Sequence, residues 1–127
     1  EDAQGETSQY ELGELPEGFV ENPERQFIGA GMTSHFYENE KGDVILFEYI
    51  YMQQGSSSGA STENAYVVSV SINRCDGLLV IPKEENSNSM LMWFDPEHNL
   101  QFTLDAPLGQ EDILHMAESV YLVETTK

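Results

Sequence analysis

The chain has 127 residues, enough for one domain with a buried core and too few to expect two. Hydrophobic residues make up 39%, including six Tyr, six Phe and one Trp, which excludes a disordered chain despite the high charge. Twenty-three acidic residues against five basic ones give a formal charge of −18, a field that repels phosphate backbones and anionic lipid, so nucleic acid is excluded as a partner while cationic partners and divalent ions stay open.

Residues 1–9, EDAQGETSQ, are polar, acidic and without hydrophobic period, and are expected to be a flexible linker. The single domain is expected over 10–127. Within it, residues 33–52 hold two β-rich runs around Asn39-Glu40-Lys41-Gly42-Asp43, where Gly42 suits the left-handed position that closes a short hairpin loop. On the second run Val44, Leu46, Glu48, Ile50 and Met52 share one face and Ile45, Phe47, Tyr49 and Tyr51 the other. Both faces are largely apolar, which predicts a central strand covered on each side.

The Ser/Gly-rich stretch 53–64, QQGSSSGASTEN, is expected to be a mobile loop inside the domain. Tyr66, Val68, Val70 and Ile72 then alternate with Ser69 and Ser71 as in a half-buried strand. Asn73 to Gly77 supplies a turn before Leu78–Ile81. Residues 90–95 and 100–105 flank Pro96-Glu97-His98-Asn99, with Asp95 and Pro96 fit for a type I turn. Two registers are open: Phe94 opposite Leu100, or Trp93 opposite Leu100.

After Pro107 the period becomes helical, with Ile113, Met116, Ala117 and Val120 at i, i+3, i+4 and i+7, widened by Leu114 and Tyr121. Gly109 is the expected N-cap, and Glu111 and Asp112 stand in the first turn where the helix dipole favours them. The expected fold class is therefore α+β: an antiparallel sheet of hairpins with one C-terminal amphipathic helix on one face.

Candidate sites are few. Glu111, Asp112, His115 and Glu118 recur on one side of the helix, opposite the apolar stripe, where solvent should be; the pattern lacks the His-x-x-x-His pair of metalloprotease helices. A solvated face is the reading adopted, and no metal or cofactor is expected. Asp95, Glu97 and His98 offer oxygen and nitrogen donors, but without EF-hand spacing, and turn chemistry explains Asp95. Cys75, the sole cysteine, forms no intrachain disulfide or cysteine zinc cage; a nucleophile pair with a histidine would need His35, His98 or His115, none near in sequence. Asp76 should raise its thiol pKa and Arg74 oppose that, so Cys75 reads as a passive turn residue. No G-x-S-x-G, P-loop or G-x-G-x-x-G pattern occurs. The aromatics Tyr49, Tyr51 and Trp93, with Phe47, belong to a core or to a partner-binding groove.

Leu15-Pro16-Glu17-Gly18-Phe19, Val70-Ser71-Ile72-Asn73 before Asp76-Gly77-Leu78-Leu79, the strand Leu91-Met92-Trp93, Leu100 to Leu104, and the closing Leu108 to Val120 follow one pattern. In that order they resemble the uncharacterised C-terminal extracytoplasmic domain of membrane-anchored, sometimes anti-sigma-factor-like, proteins of Gram-positive bacteria, particularly clostridia. The resemblance covers about residues 10–124. It implies the outer side of the cell membrane, a tether supplied by an upstream segment, and a partner that is an unknown protein or cell-envelope ligand. It carries no catalytic residue over to this chain. Glu1 follows neither a Met nor a basic-apolar leader, which reads as the start of a processed or shortened piece, and no apolar run of about 18 residues would insert this domain into a bilayer.

The expected function is thus a non-catalytic extracytoplasmic binding or sensory domain of a membrane-anchored regulator, acting through an exposed sheet face or edge near 53–64. The alternatives are a secreted or lipid-anchored protein holding its ligand between helix and sheet, and a hydrolase using Asp112, His115 and Glu118 with a metal, or Cys75.

Overall fold

A computed structural model describes residues 9–29, 31–51, 65–84 and 88–123. Residues 1–8 of the expected linker and the whole of the expected 53–64 loop lie outside the described residues.

Strands form where β-branched and aromatic residues alternate between two faces. They are β1 (Gln9–Glu11), β2 (Val20–Glu21), β3 (Phe27–Gly29), β4 (Met32–Glu38), β5 (Val44–Tyr51), β6 (Ala65–Ile72), β7 (Cys75–Pro82), β8 (Ser89–Asp95), β9 (Leu100–Ala106) and β10 (Tyr121–Val123). One α-helix, α1 (Gln110–Glu118), lies between β9 and β10, and a short 3-10 helix spans Pro23–Arg25. The main sheet is antiparallel in the order β2-β4-β5-β9-β8-β7-β6, with β3 also paired to β4, while β1 and β10 form a separate two-stranded ribbon. This is the expected α+β arrangement, with the helix against one sheet face.

The hairpin from β4 to β5 turns through Asn39–Asp43 as the sequence indicates. Gly42 has φ +90°, and Asn39 Oδ1 accepts from the backbone N–H of Lys41 and Asp43 at 3.0 and 2.9 Å. The hairpin from β6 to β7 is tighter than expected. Asn73 and Arg74 both take positive φ, 49° and 76°, as a two-residue turn requires, so β7 already begins at Cys75. Gly77 therefore serves the strand and not the turn: a Cβ there would stand 2.8 Å from the Met92 carbonyl oxygen.

Neither expected register of β8 on β9 is found. Asp95 opposes Leu100, so Trp93 meets Phe102. The two rings stack at 5.1 Å with 14° between planes, an aromatic pairing that neither alternative would have produced.

On the face toward α1, here the inner face, β5 contributes Ile45, Phe47 and Tyr49, β8 Leu91 and Trp93, and β9 Leu100, Phe102 and Leu104, all buried. Ile113, Met116 and Ala117 of α1 close over them at 0%, 3% and 0% exposure. The helix is shorter than its apolar stripe suggests. It ends at Glu118, and Tyr121 joins β10 to pair with Glu11 of β1. Ser119 explains the stop: its hydroxyl donates to the Met116 carbonyl at 2.6 Å and accepts the N–H of Gly13 and Glu14, both at 3.1 Å. The end of the helix is thereby bound to the beginning of the domain. From β1, Tyr10 reaches the inner face, edge-on to Tyr49 and Phe102 at 5.3 and 5.1 Å, and its N–H donates to the Tyr49 hydroxyl at 3.0 Å.

Truncating a fully buried helix anchor leaves a cavity. Ile113→Ala should lower the unfolding free energy by about 2–4 kcal/mol in urea titrations, whereas Leu78→Ala on the opposite sheet face, where the side chain is 44% exposed, should change it far less. Equal losses would mean that the two faces are equally closed.

Candidate functional site

Side chains of opposite parity in the same strands build the outer face. Three rows of paired residues cross it. The first runs Ser69, Leu78, Met92, Thr103, Glu48 and Ser34. A second runs Val67, Val80, Met90, Asp105, Leu46 and Phe36. On the third, Ser71 opposes Asp76, Phe94 opposes Gln101, and Gln101 and Met32 flank Ile50. Most of these residues are half-buried or exposed, Val80 and Ser34 being buried. Covering of β5 on both sides was expected from its two apolar faces; among the described residues no α-helix lies on the outer one. β5 is central in the sheet, between β4 and β9, and α1 packs chiefly against β8, β6 and β9.

The first and third rows border an open groove of about 470 Å³. Ser69, Asp76, Leu78, Met92, Phe94 and Gln101 line it, each an outer-face position. Leu78, opposite Met92, and Phe94, diagonal to it on β8, are 44% and 37% exposed, large apolar side chains grouped on one open face. Methionines at 90 and 92 add adaptable, polarisable surface. Farther along the face the Glu48 carboxyl is held above its ordinary pKa, chiefly because burial disfavours the ion, with a hydrogen bond from Ser34 acting against this.

The sequence candidates distribute differently. Tyr49 and Trp93 are 1% and 5% exposed and pack into the inner core, where Tyr49 stands among Phe47, Phe102 and Tyr10. Tyr51 is half-buried against the same core. Glu111, Asp112, His115 and Glu118 are all exposed on α1. His115 pairs with Glu14, and with Asp112 it borders a second, smaller cavity of about 210 Å³ closed by Leu15, Pro16 and Leu108; Glu118 does not line it.

The other histidines lie on other elements. His98, in the turn from β8 to β9, bonds Asp95 through Nδ1 at 2.8 Å, and this bond raises its pKa above the ordinary value. Ligand atoms of Asp95, Glu97 and His98 lie within 4.8 Å of one another. The Asp95 carboxylate already accepts the Glu97 N–H at 3.0 Å and the His98 ring, so the turn accounts for the grouping. His35 is buried on the inner side of β4, 2.7 Å from Glu21 through Nδ1. Its Nε2 has no hydrogen-bond partner among the described residues.

Cys75 opens β7, half-buried, instead of standing in the turn. Burial is the main force raising its thiol pKa, with Asp95, Asp76 and Glu97 adding to it. The rate of iodoacetamide alkylation should therefore rise with pH to a midpoint above that of a free cysteine thiol. A midpoint below it would mark an activated thiolate and reopen nucleophilic chemistry.

Sequence reasoning placed Leu78, Met92 and Phe94 in strands but not on a common open face, because β8 could not be aligned to β9 without the four-residue turn that shifts the pair by one. The parity of Ser69 and Ser71 between Val68, Val70 and Ile72 was the signal that could have found one edge of the groove.

A family model described as a domain of unknown function, DUF4367, matches residues 9–120. No curated protein and no solved structure matches the chain.

Proposed function

The chain belongs to the DUF4367 family, and on that premise we propose that it is a non-catalytic binding or sensory domain, carried on the outer side of a Gram-positive cell membrane by a membrane-anchored regulator. The observation that carries the binding role is the outer sheet face, where exposed Leu78 and Phe94 meet Met92 in an open groove on the side away from the helix. Apolar side chains held on a rigid sheet present a contact surface at little entropic cost. Location outside the membrane rests on the resemblance of residues 10–124 to the extracytoplasmic domains of membrane-anchored proteins. No described helix is long and apolar enough to cross a membrane, which agrees with a domain that does not insert through a helix of its own.

A ligand held between helix and sheet is the less supported reading. Ile113, Met116 and Ala117 already fill that interface together with Phe102 and Leu104. Recognition is therefore assigned to the outer face, with the inner face serving as the core that holds the sheet together.

Location is open to direct test in the native host. An epitope fused after Lys127 of the full-length gene product should be digested when protease is added to intact protoplasts, while a cytoplasmic marker survives. Protection of the epitope until lysis would contradict an extracytoplasmic domain.

A further inference from the structure

The partner's chemistry can be narrowed, on the reading that the outer face is the recognition surface. The three outer rows carry Asp76, Asp105 and Glu48 among Leu78, Met92, Phe94, Met90, Leu46 and Ile50. Arg25 lies over Phe36 at the far edge, 4.7 Å from the ring centroid and paired with Glu38, while no lysine or arginine lines the groove. Asp76 makes no ion pair with any described residue, and Asp105 is held by the neutral Asn88 side chain at 2.8 Å. The face is thus an apolar strip edged with carboxylates, set in a chain of formal charge −18. Its complement is apolar surface edged with cations.

Backbone arithmetic selects the form of the occupant. The strands beneath the groove, β7, β8 and β9, each have a paired neighbour on both sides, so the groove floor is mostly side chains. An extended segment lying there would leave its own N–H and C=O groups unpaired, whereas a helix satisfies them internally. Four strands from β6 to β9 span about 14 Å at the usual strand spacing, the length of roughly nine helical residues. A second copy of this chain is a poor occupant, because its exposed helix face bears Glu111, Asp112 and Glu118.

We infer that the groove on the outer sheet face receives an amphipathic helix of a partner protein, one whose apolar stripe is flanked by lysine or arginine. The helix would complete a three-layer arrangement, its apolar residues on Leu78, Met92 and Phe94 and its cations beside Asp76 and Asp105.

The experiment titrates the full chain into a labelled 18-residue helical peptide of leucine and lysine with one apolar stripe, followed by fluorescence anisotropy. The same titration is run with a peptide in which every lysine is glutamate, and with a lysine peptide scrambled to destroy the stripe. The lysine peptide should bind at least tenfold more tightly than either control. Leu78→Glu with Phe94→Glu, at positions exposed enough to leave the thermal unfolding midpoint nearly unchanged, should weaken it at least tenfold; Asp76→Asn should weaken it several-fold. If stripe and scramble bind alike and the double variant changes nothing, attraction to the net charge alone is at work, and the inference and the outer-face reading both fall. If the glutamate peptide binds as well as the lysine one and the double variant abolishes both, the face is the recognition surface but the cationic partner is wrong.

Discussion

A single helix can cover only one face of a sheet, and this constraint organises the molecule. β5 is apolar on both sides, yet α1 and Tyr10 of β1 close only the side bearing Phe47 and Tyr49. Everything that gives the fold its stability accumulates there: the stacked Trp93 and Phe102, the Ile113 anchor, and the Tyr10 N–H bonded to the Tyr49 hydroxyl. The other side keeps its apolar residues without a helical cover among the described residues. Structure and recognition are thereby divided between two parities of the same strands.

Ser119 ties the division together. One hydroxyl ends the helix by donating to the Met116 carbonyl and holds the chain start through the N–H groups of Gly13 and Glu14. The approach is close enough that a Cβ on Gly13 would lie 2.6 Å from the Ser119 carbonyl oxygen, so the glycine is required by space. This junction fixes where Leu15 and Pro16 lie, and with them the small cavity beside Asp112 and His115. The Leu-Pro-Glu-Gly-Phe segment that helped to carry the family resemblance thus has a structural use next to the helix end.

Much of the architecture was legible in the residues. Period-two alternation marked β5 and β6, Asn39 to Asp43 marked a turn, and the i, i+3, i+4 spacing of Ile113, Met116 and Ala117 marked the buried side of α1. What stayed hidden depended on partners distant in sequence. β1 and β10 are three residues each and pair with one another across the chain, a length too short for a periodic signal. The register of β8 on β9 followed from Asp95 pairing with Leu100, and Asn73 and Arg74 accepted positive φ where a longer turn had been expected. The aromatic candidates show the same limit. Tyr49 and Trp93 share composition with a binding groove and with a core, and only the parity facing α1 assigns them to the core. The groove residues Leu78, Met92 and Phe94 were visible as strand residues, but their common face required the three-dimensional pairing.

The inner face is closed and the outer face open, and methionines report on both. With methyl-labelled methionine, a soluble gadolinium chelate should broaden the NMR signals of Met32 and Met92 on the outer face while sparing Met116, which is 3% exposed beneath the helix. Equal protection of Met92 and Met116 would show the outer face to be covered, leaving no open surface for recognition.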